Sequence, residues 1–337
     1  MLAGAAGSGA GGSGAAGSGA GGSGAAGSFP GAGAGVVTAS FWLILRTLPV
    51  EASPQLGCGW GNALTSLVVT LTDEVAYPPA QHMLRDLRIE FAHGDRESYA
   101  WIPNVGELAD GRGHVRLGAI SVLADVLGGG LAALAAAPGW IATADLTVHR
   151  GDPIRAGSGD DLEAHGRVVR AGRSTVVLEC RVRAGAGSPA LATLTFAVLE
   201  RRDSNPEFVP TSGPPIRQSM ATDTSGLRVG VAEAFGIVVL ASGEARLAIT
   251  PYVVNSLGAT QGGALATLAE LAAESLDPSG RSASVDLQLS YLSLAKVGPV
   301  VATAQRCGDE GVVRVVLVDA GAQRTVAHAM VRIERVA

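Results

Sequence analysis

The stretch Ala142-Thr143-Ala144-Asp145-Leu146 occurs a second time, lightly altered, as Ala283-Ser284-Val285-Asp286-Leu287. Upstream of each copy lies an acid set among apolar residues: Leu123-Ala124-Asp125 ahead of the first, Leu268-Ala269-Glu270 ahead of the second. Downstream, Gly157 matches Gly298. Three matches in one order point to an internal duplication, and the spacing is too long for a solenoid unit. Each copy therefore reads as a domain.

The elements around these anchors repeat as well. In the first copy a short helix is expected over Ala80–Leu87, then strand-like sequence from Ile89 through Trp101. A long small-residue helix follows over Leu117–Ala137, then strands over Trp140–His149, Leu162–Val169, Ser174–Arg183 and Ala190–Glu200. In the second copy Ala232–Leu240 and Glu244–Pro251 read as strands and Gly258–Ser275 as a helix. Ser282–Leu292, Val300–Arg306, Gly311–Asp319 and Thr325–Arg335 read as further strands. A strand, a buried helix and a strand meander predict an α+β architecture, with an antiparallel sheet and its helices on one face. A helix apolar nearly all round must be covered on most sides, which a sheet curled about it would do.

The remaining segments set the boundaries. Residues 4–28 repeat Gly, Ala and Ser and have almost nothing to bury, so 1–72 is read as a low-complexity extension. The first domain is placed at 73–203, a Pro/Ser/Thr-rich linker at 204–225 and the second domain at 226–337. The chain is 47% hydrophobic and 16% charged with a net charge of -5, enough apolar material for a large core. It has no basic stripe with interleaved aromatics, so nucleic acid is not an expected partner. The apolar run Val36–Leu45 is cut by Arg46 and Pro49, and no membrane span or signal peptide is expected. Cys58, Cys180 and Cys307 stand far apart, and the six histidines show no ligand spacing. No metal site and no disulfide framework are predicted, and a reducing cytoplasm is the expected compartment.

A carboxylate buried without a partner is costly, so Asp125 and Glu270 each need either a partner or a task. Ahead of Glu270 runs Asn255-Ser-Leu-Gly258-Ala-Thr-Gln261-Gly262-Gly263, two glycines opening a helix. The first amides of a helix lack internal partners and sit at its positive end, where a polarised carbonyl oxygen can be held. Such a turn is equally what close packing requires.

Asn255-x-x-Gly258-x-x-Gln261-Gly262-Gly263, Leu268-Ala269-Glu270, Ser284-Val285-Asp286-Leu287, Tyr291-Leu292 and Ala295-Lys296-x-Gly298 together resemble the hotdog-fold acyl-CoA thioesterases, in particular the phenylacetyl-CoA and 4-hydroxybenzoyl-CoA types. The resemblance covers most of 226–337 and, more loosely, 89–200. Gln261 stands where many members have His. It implies two tandem hotdog domains, each a sheet wrapped around a central helix, packed as a monomeric pseudo-dimer with further dimerisation left open. In that family one subunit supplies the Asn and the Gly amide, and the other supplies the acid and a Ser or Thr.

Two sites follow from that division. One joins Asn255 and Gly262 to Asp125 and Thr143, with every role filled. The other joins Asp110 and the Leu117-Gly118 backbone to Glu270 and Ser284. It is expected to be degenerate, because Arg116-Leu117-Gly118 replaces the glycine turn and an anion at Asp110 would repel an oxyanion. Gln261, Gly263, Arg170 and Arg173 are candidate substrate contacts, the arginines for CoA phosphates; Arg167, Arg306 and Arg314 lie on similar ground. The resemblance implies an acyl-CoA thioesterase needing no cofactor, CoA entering only as part of the substrate. The rivals are a non-catalytic acyl-CoA-binding protein and, further off, a hotdog hydratase or dehydratase.

Overall fold

The computed structural model describes residues 77–94, 96–201 and 216–335, and the expected extension 1–72 lies outside them. All of the described residues belong to one compact unit. A short helix α1 (Met83–Asp86) leads into the hairpin β1 (Glu90–His93) and β2 (Glu97–Ile102). The long helix α2 (Leu117–Ala136) follows, then β3 (Trp140–His149), β4 (Leu162–Ala171), β5 (Thr175–Arg183) and β6 (Ala190–Leu199). After a two-residue strand β7 (Gln218–Ser219) the order recurs. It runs α3 (Val231–Ala234), β8 (Ile237–Ala241), β9 (Glu244–Leu247), α4 (Gly262–Glu274), β10 (Ser282–Tyr291), β11 (Val300–Arg306), β12 (Val312–Asp319) and β13 (Arg324–Arg335).

These strands form one antiparallel sheet in the order β7-β1-β2-β4-β5-β6-β3-β10-β13-β12-β11-β9-β8. Apart from β7, which has no counterpart, the order reads the same from either side of the β3–β10 seam once equivalent strands are exchanged. The register agrees: Asp145 faces Ser290 and Asp286 faces His149, with Thr147 opposite Gln288 midway. Both repeats also place a β-bulge at the same point, between Thr143 and Asp145 and between Ser284 and Asp286. Gly157 and Gly298 both adopt φ of 73°. The unpaired residue in each bulge is Ala144 or Val285, next to the Thr or Ser of the repeated pentapeptide.

Helix α2 is buried along most of its length because the sheet covers one side and α4 the other. By length and composition alone it is apolar enough to cross a bilayer, but here it is the mostly buried core helix expected from its small residues. The small residues set the spacing of the layers. A Cβ on Gly118 would fall 2.7 Å from the Cα of Thr267, and one on Gly263 2.4 Å from the Cα of Val122, so the two helices touch backbone to backbone. Gly128 faces Phe196 and Gly130 faces His93, while a Cβ on Gly129 would meet nothing within 4 Å.

Three expectations change. Ile89–Trp101 is a hairpin rather than one strand, with its turn at Gly94. Ala232–Leu240 divides into α3 and β8 because Gly236, at φ 75°, ends the helical turn. The second central helix starts at Gly262, not Gly258, because Gly258 at φ 66° belongs to the turn closed by Asn255. Within the expected linker 204–225, Gln218–Ser219 pairs with β1.

Candidate active site

The turn before α4 is built by Asn255. Its Oδ1 accepts the amides of Leu257 at 2.9 Å and Ala259 at 3.1 Å, which leaves Nδ2 as its remaining donor. Val254 and Thr260 then bridge, and Gln261 caps the helix, its Oε1 accepting the Gly263 amide at 3.2 Å. Gly262 is the first helical residue, and its amide has no acceptor among the described residues.

Asp125 arrives from α2, across the helix pair. Thr143 Oγ1 donates to Asp125 Oδ1 at 2.9 Å, and the nearby Gln261 side chain and Gly263 amide favour its charged form. Burial dominates its chemistry: Asp125 is 7% exposed, and loss of water raises its pKa from 3.8 to about 6, against the lowering effect of those three groups. A carboxyl poised near 6 is ionised at neutral pH yet basic enough to take a proton. A Cβ on Gly262 would lie 2.7 Å from Asp125 Oδ2 and 2.9 Å from Tyr291 Oη. The glycine therefore leaves open the space on which both oxygens converge. Asp125, Thr143, Asn255, Gln261 and Gly262 all line one cavity of about 310 Å³, with apolar walls from Leu84, Val126, Ile141, Phe196 and Leu265.

The reciprocal arrangement is closed. Glu270, fully buried, accepts the amide of Leu117 with Oε1 at 3.1 Å and that of Gly118 with Oε2 at 2.9 Å. Leu117 is the counterpart of Gly262. Glu is one methylene longer than Asp, and that extra reach puts the acid on the amide an oxyanion would need. Arg116 adds an ion pair to Glu274 at 2.8 Å. Ser284, the counterpart of Thr143, makes no bond through its buried Oγ, and its amide donates to Glu274 Oε1 at 2.9 Å. Asp110 builds the same turn as Asn255, accepting from Arg112 at 2.8 Å and His114 at 3.0 Å. Its Oδ2 is held by Arg150 at 3.2 Å, so the charge expected to repel an oxyanion is neutralised by an ion pair instead. Glu270→Ala is expected to lower stability by about 2–4 kcal/mol, since two buried amides and Arg116 lose an acceptor. Turnover should stay within about threefold of the parent, because no donor to Asp125 is touched. Denaturant midpoints and initial rates measured on the same preparation check both halves of that expectation.

Residues 112–190 match the family model described as Thioesterase superfamily. The chain is a thioester hydrolase. The matched segment contains Asp125 and Thr143; Asn255 and Gly262 lie outside it. No curated protein matches the sequence. Among solved structures, the chain is similar to the tesB protein of Mycobacterium avium subs paratuberculosis at 12% identity, over 76% of this chain and 98% of that one, with a TM-score of 0.49. It is similar to an acyl-ACP thioesterase of Bacteroides thetaiotaomicron at 13% identity, over 71% and 98%, with a TM-score of 0.45. The 12:0-ACP thioesterase of Umbellularia californica matches at 10% identity over 72% and 99%, with a TM-score of 0.48.

The thioester hydrolase does not gather every candidate at the cavity. Gly263 faces Val122 of α2 and serves helix packing, while its amide donates to Gln261 Oε1. Arg170 and Arg173 are exposed at the β4–β5 turn and do not line the cavity. The turn flanks Ala197 of β6, a lining residue that pairs with Thr175. Arg167 is paired with Glu179 at 2.9 Å, and Arg306 reaches the carbonyl of Leu276. Among the lining residues not singled out as site candidates from the sequence, two are tyrosines. Tyr77 comes from the segment ahead of α1, with no motif to mark it, and its hydroxyl donates to Val254 O at 3.4 Å. Tyr291 stands inside the matched motif, but only the fold turns its hydroxyl toward Asp125.

Proposed function

We propose that the chain hydrolyses an acyl-CoA to the free acid and CoA, at one site shared by two tandem hotdog units folded as a pseudo-dimer. One observation carries the reading: a helix-terminal amide without an acceptor, at Gly262, faces a cavity into which the other unit delivers an ionisable, Thr143-anchored acid. The reciprocal closure of Glu270 on Leu117 and Gly118 supports a single competent site. An intact Asn255, Gly262, Asp125 and Thr143 set argues against a binding protein whose sites have decayed.

In this reading the thioester carbonyl oxygen lies against the Gly262 amide, with Asn255 Nδ2 as second donor, and the acyl chain enters the apolar part of the cavity. Water oxygen bonds to the carbonyl carbon as one water proton passes to Asp125. The oxyanion is held by the helix terminus until the C–S bond breaks, and CoA leaves as the thiolate, taking up the proton from Asp125. Preorganised donors of this kind act where charge develops and need not reorganise during the step. Arg170 and Arg173 are the proposed contacts for the CoA phosphates. Release of free thiol from a panel of acyl-CoAs tests the reading, and no release from any of them would favour the non-catalytic alternative.

A pH dependence follows from the buried acid. Asp125 must be ionised to accept the proton, and burial has moved its pKa up to about 6. Activity should therefore fall as pH drops through about 6, not near 4 as for an exposed carboxylate. A kcat/KM profile between pH 4.5 and 8 reads the position of that limb, and in Arg170→Ala it should not move.

A further inference from the structure

Tyr291 ends β10 with its hydroxyl inside the cavity. The Oη atom is buried and has no hydrogen-bond partner among the described residues. A buried hydroxyl without a partner is costly, and such atoms usually mark a place where something else binds. The surroundings say what. Tyr291 Oη and Asp125 Oδ2 lie 2.9 Å and 2.7 Å from the point a Cβ on Gly262 would occupy. Two oxygens that close to one point are at most about 5.6 Å apart, a gap that a single water on the cavity side of Gly262 can bridge.

The other repeat provides an internal control. Counting from Asp145 and Asp286, the counterpart of Tyr291 is Arg150, just as the counterpart of Asn255 is Asp110. In that half the two side chains bind each other in an ion pair at 3.2 Å. In the open half the same two positions hold a neutral amide and a neutral phenol, both with unused hydrogen-bonding capacity. Both positions differ together, as expected if they face a ligand in one half and only each other in the other half. Burial and the nearby Asp125 and Asp145 hold the phenol protonated.

We propose that Tyr291 is a catalytic residue of this site: its hydroxyl and Asp125 Oδ2 together hold the attacking water over Gly262, so that Asp125 works as a general base on that water and not as a nucleophile. The water gives one proton to Asp125 Oδ2, hydrogen-bonds Tyr291 Oη, and turns a lone pair to the thioester carbon. The C–O bond forms as the proton moves, and no enzyme acyl bond is made. The inference rests on the thioesterase reading above.

Tyr291→Phe in the full chain keeps the ring and removes only the hydroxyl. With an acyl-CoA that the parent hydrolyses, kcat should fall about 10- to 100-fold, KM should stay within about twofold, and the denaturant midpoint should hold or rise because a buried unpartnered hydroxyl is gone. A kcat unchanged within twofold overturns the role of Tyr291. A single turnover of parent enzyme in ¹⁸O-water should leave Asp125 unlabelled, and label in its carboxylate overturns the general-base assignment. A parent enzyme that releases no CoA from any acyl-CoA sinks the thioesterase reading itself, and this inference with it.

Discussion

Asp125→Asn is expected to lower kcat by about a thousandfold while the fold survives. The isosteric amide keeps one oxygen for Thr143 but cannot take a proton from water. The carboxylate it replaces is 7% exposed, and burial raises its pKa from 3.8 to about 6. A raised folded-state pKa means that the native protein binds the proton more tightly than the unfolded chain does. Its contribution to stability is therefore complete below pH 3.8 and is lost as pH rises through about 6, by about 3 kcal/mol in all. The parent thus gives up stability at neutral pH to keep an ionised carboxylate in an apolar cavity. Comparing the unfolding free energies of parent and Asp125→Asn between pH 3.5 and 7.5 should show the parent losing ground as pH rises, while rates at pH 7.5 show the variant nearly inactive. Full activity in Asp125→Asn together with an inactive Glu270→Ala would move the site to the reciprocal pocket.

Gly262→Ala should cost at least about 100-fold in kcat, comparable with losing an oxyanion donor, although the amide itself remains. The added methyl would sit 2.7 Å from Asp125 Oδ2 and 2.9 Å from Tyr291 Oη. It would push the acid off Thr143 and fill the space in which carbonyl and water meet. Gly262 has no positive φ and opens a helix, where Ala is conformationally welcome, so folding should be little affected. Gly263→Ala provides the contrast. Its methyl would meet the Cα of Val122 at 2.4 Å, in backbone that cannot swing away, and the helix pair itself must part. Adjacent glycines should thus fail differently, the first in rate and the second in stability, and activity assays paired with denaturant titrations separate the two. If Gly262→Ala kept its rate, the carbonyl would not be bound at this helix start.

Much of this architecture is legible along the chain because it rests on local chemistry. The repeated pentapeptide, the apolar run that becomes α2 and the Asn-Gly turn before α4 each depend on neighbours a few residues away. The pairing of Asp125 with Thr143 comes from the family resemblance, and residue types alone start the helix one turn early, at Gly258 rather than Gly262. What residue types could not reveal was reach. Asp110 looks like a stray charge until Arg150 is found 3.2 Å from it. Gly262 and Gly263 are indistinguishable in sequence, yet one faces the cavity and the other Val122, because successive helical residues point about 100° apart and only the crossing of α2 with α4 says where. The run Gly128-Gly129-Gly130 divides in the same way: its outer members pack against Phe196 and His93, and its middle one opens on the cavity. The sequence by itself determined that two copies of one unit exist and that each carries an acid on its central helix. Tertiary structure alone tells the two acids apart, because one methylene separates Asp125, beside an open amide, from Glu270, which closes two.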